Sequence, residues 1–137
     1  MIEQGLQQEI NMVMTEARNR RLEFVTVEHL LLALLNMDEV ITFLRGKRVN
    51  IDELRAELDQ YIDSHTPIIS EDAEIDIVPT VGFQRVLQRS VYQAQSAQKN
   101  SVNAMNVFVS IFSEKESHAV YMLKLNNISR LDVMEGI

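Results

Sequence analysis

The run Thr26-Val27-Glu28-His29-Leu30-Leu31-Leu32-Ala33-Leu34-Leu35 constrains this chain more than any other stretch, because it is helix-forming and apolar on almost every face. A helix of that kind has to be buried on all sides. Its start is marked by Thr26, whose side chain suits an N-cap, and by Glu28 near the positive end of the helix dipole. Asn103-Ala104-Met105-Asn106-Val107-Phe108-Val109-Ser110-Ile111-Phe112 lies 77 residues further on, with Asn103 in the place of Thr26. Phe83, Leu87, Val91 and Ala94 likewise follow Leu6, Ile10, Met14 and Ala17 by 77. The spacing predicts an internal repeat whose two central helices are the buried ones.

The 137 residues contain no Cys, no Trp, four Gly and two Pro. So few turn signals argue against an all-β fold. Expected instead is one all-α domain of two four-helix units, packed as a pseudo-twofold pair: repeat one over 1–66, an acidic linker over 67–79 and repeat two over 80–137. Ile2, Leu6, Ile10, Val13, Met14 and Ala17 form the apolar face of a first helix over 2–20, with Arg18, Arg20 and Arg21 at its carboxyl end. A third helix carries Val40, Ile41, Phe43 and Leu44 and is expected to close at Gly46 in the left-handed region. Asn50 caps a fourth, Thr80 a fifth and Ser129 the last, with Leu131 and Met134 facing in. Met12, Met14, Met105 and Met122 read as core fillers. Only four residues follow Val133, so the chain is expected to be a piece of a longer protein.

Charge excludes several functions. Residues 1–66 carry 12 acids and 7 bases, the linker 4 acids and no base, and residues 80–137 carry 4 acids and 6 bases, for a net −7. Nothing there clusters enough Lys and Arg to bind nucleic acid. No apolar run approaches the ~20 residues of a membrane span, and no leader pattern opens the chain. Gly46-Lys47 lacks the earlier glycine of a phosphate loop, so the segment is expected to hydrolyse no nucleotide. His29, His65 and His118 fall in no metal-ligand spacing, and Glu28 and His29 are adjacent, so their side chains diverge on a helix. His29 is expected at the surface or half-buried. Neither a catalytic group nor a cofactor or metal site is expected. Arg85 and Arg89, one turn apart beside an apolar face, are the cations placed to meet a partner or water.

Glu23 through Leu35 resembles the amino-terminal domain of Clp-type AAA+ protein unfoldases. The segments Pro79-Thr80-Val81-Gly82-Phe83-Gln84-Arg85-Val86-Leu87-Gln88-Arg89, Ile111 to Ser117 and Ser129-Arg130-Leu131-Asp132-Val133 resemble its ClpA branch. The likeness covers the whole chain except residues 68–77, onto which no role carries. It implies a cytoplasmic binding domain, monomeric by itself, ahead of two ATPase modules that hold ATP and Mg in a hexameric ring. That ring unfolds substrate proteins and feeds them to the ClpP peptidase. It implies docking of the adaptor ClpS, which delivers N-degron substrates, through Glu23 and Glu28 at the entrance of the second helix and Thr80 and Arg85 at the start of the fifth. The alternative is a free-standing helical scaffold with no ATPase in its gene.

Overall fold

The computed structural model describes residues 1–71 and 76–137; the middle of the linker lies outside them. Eight helices occur among the described residues: α1 (Gln4–Asn19), α2 (Val27–Leu34), α3 (Asp38–Gly46), α4 (Ile51–His65), α5 (Val81–Ser96), α6 (Ala104–Ile111), α7 (His118–Leu125) and α8 (Arg130–Glu135). Within each half the first helix packs on the second, α1 on α2 and α5 on α6. The halves then interlock. α2 meets α6 at the centre, α3 crosses onto α6, and α7 crosses onto α2. Leu30, Leu31, Ala33, Leu34, Val107, Phe108 and Ile111 are buried, and Phe43 meets Phe108 edge-on at 5.9 Å.

The pseudo-twofold is visible in the backbone. Two short strands, β1 (Phe24–Val25) and β2 (Val78–Pro79), pair in parallel with Val25 opposite Pro79, and Ile2 bridges Val102 in the same sense. Adding 77 to Ile2 and Val25 gives Pro79 and Val102, so the two bridges are the same contact made twice with the halves exchanged. Their hydrogen bonds match too: Glu3 N–H donates to Val102 O, and Thr80 N–H to Val25 O, both at 2.9 Å. Periodicity gave no sign of these strands, which are two residues long.

Caps fix the helix starts as expected from Asn50, Thr80, Asn103 and Ser129, each of which accepts a backbone N–H from its own first turn. The helix ends differ from expectation. Gly46 closes nothing in the left-handed region; the residues with positive φ are Arg21 (58°), Arg48 (62°), Gln98 (59°) and Asn127 (60°). These four also obey the repeat, 21 matching 98 and 48 matching 127 once the α6–α7 loop adds its two residues.

Other side chains correct the expected core. Met12 is 63% exposed, because its neighbours Ile10 and Val13 already hold the inward stripe of α1. Leu131 and Met134 point outward, and Val133 alone buries α8. The linker is also less free than its acids suggested. Pro67 O accepts from Glu23 N–H at 2.8 Å, Ile69 N–H donates to Arg21 O at 2.7 Å, Asp76 pairs with Arg18 at 3.3 Å, and Ile77 is buried.

Candidate functional site

The β1–β2 seam carries two of the four expected docking residues, Glu23 and Thr80, at its ends. Glu23 precedes β1; its carbonyl accepts from Val78 N–H at 3.0 Å, and its half-buried side chain has no ion-pair partner among the described residues. Thr80 follows β2, donating its N–H to Val25 O and accepting Phe83 N–H on Oγ1 at 3.2 Å. Backbone pairing therefore fixes Glu23 at one end of the two-residue ladder, level with Ile77, and Thr80 at the other, level with Thr26, with α5 leaving from the Thr80 end.

Arg85, one turn into α5, is exposed, but its guanidinium is already engaged. Nε donates to Glu114 Oε2 at 3.1 Å and an Nη to Oε1 at 2.6 Å, the two-pronged geometry of a strong charge-assisted pair. Arg89 stands 3.7 Å from the same carboxylate. The hydrogen bond from Arg85 holds the Glu114 carboxyl below its ordinary range, and Glu114 in turn makes Arg85 harder to deprotonate. Gly82 makes room for this arrangement, since a Cβ there would lie 3.1 Å from both Glu114 Oε1 and Val27 Cγ2. The free arginine fork read from the sequence is thus an Arg–Glu–Arg cluster spanning α5 and the α6–α7 loop.

Glu28 does not share this surface. It is 7% exposed, and its Oε2 accepts Ala119 N–H at 3.0 Å, satisfying an orphan donor in the first turn of α7. The repeat counterpart of Glu28 is Met105, so this tie exists only in one direction across the pseudo-twofold. A contact spanning 91 positions leaves no local signal in the sequence.

His29 is 3% exposed rather than at the surface or half-buried. Its Nδ1 accepts Thr26 N–H at 3.0 Å, which closes the capping box and places the proton on Nε2. Nε2 is buried without a partner. Burial, with a smaller contribution from Arg20, pushes the imidazole down to about 4, so it is neutral near pH 7. In repeat two Asn106 does the same work, its Oδ1 accepting Asn103 N–H at 3.0 Å. Among the described residues no group of three or more His, Asp and Glu is placed to hold a metal ion, and no helix is long and apolar enough to cross a membrane.

Residues 1–126 match the family model of the Clp repeat N-terminal domain. The chain belongs to that family. Over 133 residues this Clp repeat domain is 35% identical to a ClpA homologue from Fuscovulum blasticum, covering 96% of the chain and 17% of the relative. It therefore spans about a sixth of that protein's length. Its fold is that of the Hsp104 N-terminal domain from Candida albicans, with TM-score 0.82, 12% identity, and coverage of 98% and 87% of the two chains. It is also that of a ClpV N-domain solved with a VipB peptide, with TM-score 0.72, 15% identity, and coverage of 96% and 81%.

Proposed function

We propose that this Clp repeat domain is the docking module of a ClpA-type unfoldase, and that the seam at Glu23, Thr80 and Arg85 receives a ClpS-like adaptor. The observation that carries the reading is the pairing of β1 with β2. Glu23 and Thr80 stand at the two ends of that short ladder, and Arg85 follows Thr80 by little more than a turn of α5 with Glu114 paired to it, so groups of both signs flank one strand pair, a pattern that suits specific protein recognition. A ClpV N-domain of the same fold holds a VipB peptide, which supports peptide or protein binding as the task of this fold. The ATP, Mg and ClpP-feeding functions belong, in this reading, to the rest of a cytoplasmic hexameric parent.

Calorimetry with a purified ClpS-like adaptor tests the assignment. Glu23→Lys should weaken binding about tenfold or more if the contact is buried in the complex. Arg85→Glu should do the same while also separating from Glu114, so its thermal melt is measured beside it. Unchanged affinity in both variants would remove the seam as the docking surface.

A further inference from the structure

The repeat provides an internal reference for a groove in the second half. Phe112, Val120 and Ile128 form its floor, and Lys115, Lys124 and Arg130 stand around it, enclosing about 600 Å³. Its counterpart in repeat one lies where α3 meets α4 and encloses about 310 Å³. Shifting by 79 takes Ile41 to Val120, Arg45 to Lys124 and Val49 to Ile128.

Repeat one covers and neutralises its version. Arg55 donates to Asp52 at 3.3 Å, to Leu35 O at 3.1 Å and to Asn36 Oδ1 at 3.2 Å, reaching from α4 back to the end of α2. The same shift replaces Asp52 with Leu131 and Arg55 with Met134, both exposed, so repeat two has neither the strap nor the acid. Lys115, Lys124 and Arg130 are all exposed, and none has a carboxylate within 4 Å among the described residues. Among the described residues no acid lines the groove. On a chain of net charge −7, three unpaired cations around an apolar floor are a local inversion of sign.

We propose that this α6–α7–α8 groove is a second docking surface, which takes an extended peptide segment of a partner protein carrying apolar and acidic side chains in alternation. Phe112, Val120 and Ile128 are 7%, 1% and 2% exposed and shape the floor from within the core, so the apolar side chains would lie on the edge of Phe112 and on the aliphatic stems of Lys115, Lys124 and Arg130. The carboxylates would meet the three cations on the rim, where complementary charge selects the partner and speeds encounter. The groove shares no lining residue with the β1–β2 seam, and its occupant differs from an adaptor held there.

The test is fluorescence anisotropy with a labelled peptide of alternating leucine and aspartate, against a control with lysine in place of aspartate. The wild-type domain should bind the acidic peptide, lose affinity as salt rises, and ignore the basic one. Lys124→Glu with Arg130→Glu should weaken binding about tenfold or more, whereas Arg45→Glu, at the counterpart position in repeat one, should leave it unchanged. Met134→Arg, which restores the position of Arg55, should also weaken it. Circular dichroism of each variant monitors folding, and the salt titration of the wild type stands independently of every variant. Equal binding of both peptides, indifference to the double reversal, or no binding at about millimolar peptide would overturn the proposal. A self-association abolished by Lys124→Glu would assign the groove to a second copy of the chain and overturn it as well.

Discussion

Acidification should destabilise this domain through His29, and the repeat provides the control. The imidazole is held at about 4 in the fold, whereas an unfolded chain restores it to 6.5. Between those values the unfolded state binds a proton that the folded state refuses, so stability falls as pH is lowered through the window and the loss is complete below about 4. A gap of about 2.5 pH units, at ~1.4 kcal/mol per unit, gives about 3 kcal/mol. The origin is structural: Nδ1 is occupied by Thr26 N–H, and a second proton would need acceptance in a buried place beside Arg20. His29→Asn copies the Asn106 box and removes the titration. Urea unfolding of both forms across pH 4 to 7 should show the wild-type stability minus that of the variant falling by about 3 kcal/mol as pH is lowered, on top of a constant offset from the cavity left by the smaller side chain. Parallel profiles would refute the argument.

Two further outcomes follow from contacts described above. Glu28→Met, which inserts the counterpart residue Met105, leaves Ala119 N–H without its acceptor and should cost ~1.5–3 kcal/mol by the usual worth of a charge-assisted hydrogen bond. A melting temperature within about a degree of wild type would show the bond to be idle. Gln98→Gly relieves a side chain at φ 59° and should be neutral or stabilising by up to ~1 kcal/mol, the gain being offset by added freedom in the unfolded chain. Gln88→Gly in the middle of α5 should instead cost ~1 kcal/mol. Equal losses in the two would contradict the assignment of strain to position 98.

Features written locally were legible in the sequence. The caps at Asn50, Thr80, Asn103 and Ser129 and the 77-residue register depend on side chains a few positions apart, and they stand where their chemistry places them. The helix endings did not follow from Gly46, because αL closure came at exposed Arg48, where Val49 N–H returns to Leu44 O at 3.0 Å and the Val49 side chain is buried. The site was legible only in part. The pairing of the segments that carry Glu23 and Thr80 agrees with the repeat, but the Arg85–Glu114 pair spans 29 positions and the Glu28–Ala119 bond 91. Partners so distant are chosen by how the helices pack, and no periodicity records them. Leu131 and Met134 misled for a related reason: α8 is six residues long, so its apolar pattern has too few turns to fix which side faces in.

Because Ile2 is bridged by Val102 and Val25 by Pro79, each half borrows its first edge from the other. A ribosome adding roughly 5–20 residues per second needs ~4–15 seconds to pass from Val25 to Val102. Throughout that interval α2, apolar on nearly all sides, has emerged without α6 to cover it. The interlock that ties the two halves of the finished domain together thus obliges the newborn one to wait with its most adhesive helix exposed, a window in which chaperones or neighbouring nascent chains compete for it.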